Sequence, residues 1–142
     1  MKYSAYVVGL LSVFLIACSS TDKFPQKQVD ASLRELTGQD GKACLKNRDI
    51  RGYGVLSNSA ISIDGGRKYY IATVRPGCLN LQTSFRVAFE KRFDEVCGGG
   101  LHKLFPGDGE NCIIRAIYEF NDRASALLDW EAATNPDTET KE

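Results

Sequence analysis

Five cysteines constrain this chain more than any other feature, because one of them stands apart from the rest. Cys18 closes an apolar run, whereas Cys44, Cys78, Cys97 and Cys112 are spread through the polar remainder. Zinc sites and redox dithiols both use close pairs such as Cys-x-x-Cys, and here the nearest two, Cys97 and Cys112, are fifteen positions apart. In an oxidising compartment, four cysteines in a small domain are most simply two disulfides. Three connectivities are open, and the sequence alone does not choose among them. The pairing expected here is Cys44–Cys78 with Cys97–Cys112. The second pair brackets the Pro106–Gly109 turn and would staple one hairpin-like unit, a loop closure worth about 3 kcal/mol in the chain-entropy model. The first would tie the start of the opening strand to the turn after Tyr69-Tyr70.

The N-terminus has the three parts of an export signal: Lys2 as the charge, Ala5 to Ile16 as the apolar core, and small Ala17 before the cleavage point. Residues 1–17 are therefore expected to be a signal peptide, since the run is shorter than the roughly 20 residues a membrane-spanning helix needs. Leu15-Ile16-Ala17-Cys18 resembles the bacterial lipobox. That resemblance implies a diacylglyceryl thioether on Cys18 and, after cleavage, an acyl chain such as palmitate on its amine. One acyl chain holds only marginally, but two or more hold stably, at about 0.8 kcal/mol per buried methylene. Ser19 stands where an inner-membrane retention signal of enteric type would have Asp. The expected address is the inner leaflet of the outer membrane, facing the periplasm.

Residues 18–42 are polar and read as a lipidated tether, with Asp30 placed to cap a short helix over Ala31 to Leu36 that can dock on the domain. Residues 43–120 change to a period of two and read as a disulfide-stapled β domain. Ile50 to Leu56 and Ile61 to Ile63 are strand regions, and Asp64-Gly65-Gly66-Arg67 is a hairpin signal. Lys68 to Val74 is aromatic and β-branched. Phe85, Val87 and Phe89 alternate with polar residues, Leu101 to Phe105 follows three glycines, and Cys112 to Phe120 is the longest strand, with Ile114, Ala116, Tyr118 and Phe120 expected on one face. Residues 121–135 read as a helix capped by Asp122, its face formed by Ala124, Leu127, Leu128 and Glu131 with Trp130 beside it. Residues 136–142 are a frayed acidic tail. The expected fold is mainly β: a small antiparallel meander, barrel-like or a sandwich, with a C-terminal helix and two disulfides.

Cys44-Leu45, Ile50, Gly65-Gly66-Arg67-x-Tyr69-Tyr70, Gly77-Cys78-x-x-Leu81, Cys97-Gly98 and Cys112 together resemble a family of small proteobacterial secreted proteins classed only as a domain of unknown function. The resemblance spans about Cys44 to Phe120. It implies a fold and a compartment but no activity, and it leaves the C-terminal helix and tail outside the shared region.

Catalytic chemistry finds little footing. His102 is the single histidine and reads as a solvent-facing strand residue. Glu90, Asp94 and Glu95 lie among Lys91 and Arg92 as a solvated turn rather than as a carboxylate pair across a cleft. Gly98-Gly99-Gly100 lacks the lysine and the strand–loop–helix context of a phosphate loop. No enzyme, cofactor or metal site is expected. Eighteen basic residues balance eighteen acidic ones, so no net field favours nucleic acid. The candidate ligand face is Tyr53, Arg67, Tyr69 and Tyr70, which gather aromatics and a cation around one hairpin. The reading is a lipid-anchored envelope protein whose β domain is a non-catalytic interaction or structural module. Its expected partners are the membrane, through the lipid on Cys18, and another envelope protein. The alternative is a module that binds a small molecule or a polysaccharide through the Tyr-rich hairpin.

Overall fold

The computed structural model describes residues 26–78, 80–107 and 110–135. Cys18, the expected signal peptide and the acidic tail lie outside the described residues. In chain order the elements are α1 (Gln26–Thr37), β1 (Cys44–Lys46), a 3-10 turn (Asn47–Asp49), β2 (Gly52–Ser57), β3 (Ala60–Asp64), β4 (Tyr69–Val74), β5 (Val87–Phe89), β6 (Glu95–Cys97), β7 (Lys103–Pro106), β8 (Cys112–Phe120) and α2 (Arg123–Thr134). Six strands form one antiparallel sheet in the order β2-β3-β4-β8-β7-β5, and β1 pairs with β6 as a separate ribbon.

The meander β2-β3-β4 follows from its turn chemistry. Asp64 Oδ1 accepts the Gly66 N–H at 2.7 Å, and the Gly65 N–H donates to the Lys68 carbonyl at 2.9 Å. Gly66 sits at φ +79°, a conformation that side-chain-bearing residues rarely adopt. The sheet then curls until its two edge strands nearly meet. The Tyr53 hydroxyl on β2 donates to the Phe85 carbonyl at 3.1 Å and accepts the Val87 N–H of β5 at 2.7 Å. One phenol thus clasps both edges and makes the sheet barrel-like, removing most of the exposed edge that an open sheet would leave. The inside is filled by Ile61, Ile63, Ala72, Val74, Leu104, Ile114 and Ile117, all fully buried.

The β1–β6 ribbon closes one end of this barrel, with Leu45 and Val96 as its two inward plugs. Its antiparallel register places Cys44 opposite Cys97, and these two form a disulfide. Cys78, which follows β4, is bonded to Cys112 at the start of β8, the strand that runs antiparallel alongside β4. The expected pairing of Cys44 with Cys78 and Cys97 with Cys112 is therefore wrong, although all four cysteines are in disulfides as expected. Strand register rather than sequence separation sets the pairing: β1 lies against β6 and the turn after β4 against the start of β8, which joins residues 53 and 34 positions apart. Both three-residue strands of the ribbon went unread, because each buries only one side chain and so shows no period.

Both helices pack on the outer face of β4 and β8. A second core joins Val29 and Leu33 of α1 and Ala126 and Ala133 of α2 to Ile71, Ala116, Tyr118 and Phe120 of the sheet. Helix α1 starts earlier than expected and runs through Asp30, which is a mid-helix residue rather than a cap. It ends at Gly38, whose φ of +67° lets its N–H return to the Arg34 carbonyl at 2.9 Å. From Gln26 onward the expected tether is thus part of the fold. Helix α2 begins as expected, with Asp122 Oδ1 accepting the Ser125 N–H at 2.9 Å. Its buried face is Ala126, Trp130 and Ala133, not the Ala124–Leu127–Leu128–Glu131 stripe; Leu128 is 66% exposed. Small alanines let the helix approach a sheet face already filled by Tyr118 and Phe120.

The longest strand also departs from simple alternation. Thr73 of β4 faces Ala116, but its neighbour Val74 faces Ile114, so Arg115 is an extra residue in β8. This bulge inverts the side-chain parity. Ile114 points into the barrel, whereas Ala116, Tyr118 and Phe120 point to the helices, so the four expected on one face are split. Phe85 and Leu101, expected at strand positions, lie outside β5 and β7 and are almost fully exposed.

Candidate functional site

The β3–β4 hairpin and the β1–β2 connection meet at one rim of the barrel, and most of the candidate ligand residues stand there. Tyr70 and Tyr69 are neighbours on β4 and so face opposite sides of the sheet. Tyr70 is buried in the barrel core near the rim, its ring packed over Gly65 so closely that a methyl on that glycine would lie 2.7 Å from it. Its hydroxyl donates to Glu119 Oε2 at 3.5 Å, and Glu119 is also bridged by Lys68 Nζ at 3.3 Å. Burial first, and then the negative Glu119 beside it, hold the Tyr70 phenol above its ordinary pKa, so it remains a hydrogen-bond donor. Tyr69 packs against the outer core under α2. Tyr53 is engaged in clasping the sheet edges.

The four candidate residues are therefore not one face. Tyr53, Arg67 and Tyr69 line an open cleft of about 470 Å³ that also touches the start of α2. Arg67 and Tyr70 line a different one, of about 590 Å³, across the hairpin. Tyr70 and buried Leu45 belong to the lining of that second cleft, along with Lys46, Arg48, Arg51, Arg67 and Lys68. Three of these cations, Lys46, Arg48 and Arg51, escaped the sequence reading. Lys46 ends β1 and Arg48 and Arg51 lie in the β1–β2 connection, far in sequence from Arg67 and Lys68, and balanced net charge gives no hint of a local excess. Arg51 lies across the turn, where a methyl on Gly66 would be 2.6 Å from its Nε. A third open cleft, of about 750 Å³, shares Lys46 and Arg48 with the second and has Ile50, Phe89 and Phe93 as apolar walls.

A second polar cluster lies under α1. Asp30, only 3% exposed, accepts a hydrogen bond from the Thr73 hydroxyl at 2.7 Å, and its Oδ2 lies 2.6 Å from Arg115 Nε. The Tyr118 hydroxyl donates to the Asp30 carbonyl at 3.0 Å. Desolvation raises the Asp30 carboxyl above its usual 3.8 and outweighs the opposing effects of Thr73, Arg115 and Arg34. Burial likewise raises the Tyr118 phenol, with the neighbouring Asp30 adding to it. Every group here contacts another element, so the cluster pins α1 to the sheet.

The chain between α1 and β1 is held along β8 by backbone pairing. The Gln39 amide imitates a strand residue: its Nε2 donates to the Glu119 carbonyl at 2.7 Å and its Oε1 accepts the Glu119 N–H at 2.8 Å. The Ile117 N–H donates to the Gly41 carbonyl at 2.8 Å, and the Gly98 N–H to the Ala43 carbonyl at 3.0 Å. Gly98, the first of the three glycines, is thus a close-packing position. A Cβ on Gly98 would fall 2.5 Å from the Ile117 nitrogen.

The remaining candidates sit apart from the two hairpin clefts, although Asp94 lines the third. His102 packs edge-on against Phe93, with ring centroids 5.0 Å apart, and its buried Nδ1 has no hydrogen-bond partner among the described residues. Asp94 and Glu95 are exposed as read from the sequence, but Glu95 is in β6 and the Asp94 carbonyl accepts the Asn47 N–H at 2.9 Å. Cys44, Glu95 and Cys97 converge, as do Cys78, Glu110 and Cys112. The cysteines in both groups are oxidised, so neither offers the thiolates a metal would need. Among the described residues no helix is long and apolar enough to cross a membrane.

No curated protein and no solved structure matches the chain. A family model does match, over residues 1–136. That range takes in α2 and the segment before β1, so the helix is not the addition outside the shared region that the resemblance implied. The chain belongs to DUF6491, a family of unknown function.

Proposed function

We propose that this is a lipid-anchored cell-envelope protein, held by Cys18 on the inner leaflet of the outer membrane, whose β domain is a non-catalytic interaction or structural module facing the periplasm. The observation that carries the reading is the sorting of the cysteines. Cys44, Cys78, Cys97 and Cys112 are consumed in two disulfides, which leaves Cys18 as the odd one, at the +1 position of Leu-Ile-Ala-Cys. Disulfides suit an oxidising compartment, and the apolar segment before Cys18 suits export to one. A barrel filled by aliphatic side chains suits a module that works through its outside. Metabolic labelling with a palmitate analogue tests the anchor. The natural chain should be labelled and recovered with membranes, and Cys18→Ser should lose the label; equal labelling of the two would overturn the reading.

A second reading, binding of a small molecule or polysaccharide at the Tyr-rich hairpin, is favoured by the clefts on either side of that hairpin, with Arg67 common to both.

A further inference from the structure

The cleft between the Asn47–Asp49 turn and the β3–β4 hairpin gathers charge in a chain that has no net charge. Five cations line it, against a single carboxylate, Asp49. Two of the five have partners: Lys68 is bonded to Glu119 and to Asn121 Oδ1 at 2.8 Å, and Arg48 Nε lies 3.9 Å from Asp49. Lys46, Arg51 and Arg67 have no ion pair among the described residues. Like charges gathered without counter-charge raise one another's energy, and a cleft with low-dielectric walls focuses their field outward. Leu45 and Tyr70 supply such walls, since both are buried in the barrel core. Arg51 is also held in place, because its guanidinium rests on Gly66 and its backbone N–H donates to the Asp64 carbonyl at 2.8 Å.

We propose that this cleft binds an anionic ligand carrying two or more phosphate groups, held by Lys46, Arg51 and Arg67. A phosphate carries about −1.5 to −2 charges at neutral pH, so two of them match three uncommitted cations, whereas one carboxylate does not. Guanidinium forks pair bidentately with phosphate oxygens, and lysine adds a mobile point charge. The volume of about 590 Å³ accommodates more than one such group. The proposal extends the second reading above and does not depend on the lipid anchor.

Tripolyphosphate is the probe, titrated into the full chain in a non-ionic detergent by calorimetry and amide NMR. Saturable binding is expected, with shifts concentrated in residues 46–51 and 64–70 and an affinity that falls as salt screens the site. The double variant Arg51→Gln/Arg67→Gln should weaken binding by about tenfold or more, since charge-assisted hydrogen bonds are the strong kind. Lys27→Gln removes one exposed charge of the same sign on α1 and should leave the affinity unchanged. Should the double variant misfold, Lys46→Gln alone, at an exposed position, should still weaken binding about threefold or more. Absence of saturation in the natural chain overturns the proposal, as does a folded double variant with unchanged affinity or an equal loss in Lys27→Gln. Repeating the measurement in micelles doped with cardiolipin, whose headgroup carries two phosphates, identifies the source. Shifts at the same residues there point to a lipid headgroup, and shifts with tripolyphosphate alone point to a soluble phosphorylated solute. Cys18→Ser should leave the titration unaltered, so failure of the anchor reading and failure of this one are distinguishable.

Discussion

Replacing Asp30 separates two ways in which a buried ion pair can hold a helix. The carboxylate accepts from the Thr73 hydroxyl and faces Arg115 Nε, while Thr73 is fully buried and the Arg115 side chain is 34% exposed. Asp30→Ala removes both contacts. It orphans a hydroxyl that cannot reach water, and it frees an arginine that can swing out to solvent. The lost hydrogen bonds and the desolvated hydroxyl together make a loss of about 2–4 kcal/mol, less than the full penalty for breaking a deeply buried pair. For a domain of this size that lowers the melting temperature by about 10–20 °C. Asp30→Asn keeps the shape: its Oδ1 can accept from Arg115 while its Nδ2 donates to Thr73 Oγ1. Burial holds the native carboxyl above its usual 3.8, so the folded protein binds this proton more tightly than the unfolded chain does. The stability that this group adds is complete below about pH 3.8 and is lost as pH rises through the raised value. At neutral pH the asparagine variant should therefore lie within about 1 kcal/mol of the natural protein, and it should gain on it as pH climbs from 3.8. Urea unfolding followed by circular dichroism, with the disulfides intact and the pH stepped from 3 to 8, measures both variants. An asparagine variant as unstable as the alanine one at pH 7, or one that loses ground as pH rises, would show that charge rather than hydrogen bonding docks α1.

Three further outcomes follow from the covalent and backbone framework. Replacing Cys44 and Cys97, or Cys78 and Cys112, by alanine pairs should cost about 4 kcal/mol each, because the loops closed span 53 and 34 residues. Non-reducing peptide maps should join Cys44 to Cys97, and a Cys44–Cys78 peptide would refute the assignment. Gly98→Ala should destabilise by about 1–3 kcal/mol, since its methyl would overlap the Gly41–Ile117 pairing, and hydrogen exchange at the Ile117 amide should accelerate. Tyr53→Phe should cost about 1 kcal/mol and unprotect the Val87 amide; unchanged exchange there would mean that the phenol does not clasp the barrel.

The parts of the fold legible in the sequence are those whose signal is local. The Asp64–Arg67 turn, the aromatic and β-branched run of β4 and the Asp122 cap each state their structure within a few residues. So does the length of β8, from Cys112 to Phe120. What stayed hidden depends on distant partners. Cys44-Leu45-Lys46 and Glu95-Val96-Cys97 are strands only because they pair with each other, and the disulfide topology depends on that pairing. Phe85 has the right type and spacing for β5, yet the barrel needs its backbone carbonyl for Tyr53 and leaves its ring in solvent. The rim cleft failed to appear for a related reason. Arg67 and Lys68 were visible as hairpin cations, but Lys46, Arg48 and Arg51 come from the end of β1 and the connection after it, which only the β1–β6 ribbon brings to the same rim.

The bulge at Arg115 ties these features together. Strict alternation along β8 would send Ile114, Ala116, Tyr118 and Phe120 to one face and leave the other with Arg115, Ile117 and Glu119. One face would then be overfilled and the other charged. With one extra residue at Arg115, Ile114 and Ile117 both enter the barrel, while Ala116, Tyr118 and Phe120 turn to the helices. The same shift lets Arg115 reach Asp30 beneath α1 and lets Glu119 emerge at the rim beside Tyr70 and Lys68. Helix docking and the polar floor of the rim are thus set by a single irregularity in one strand. Deleting Arg115 would leave Ile114, Ala116, Ile117 and Tyr118 in regular alternation on the faces they already occupy, so its cost would fall on α1, which would lose the counter-charge of Asp30.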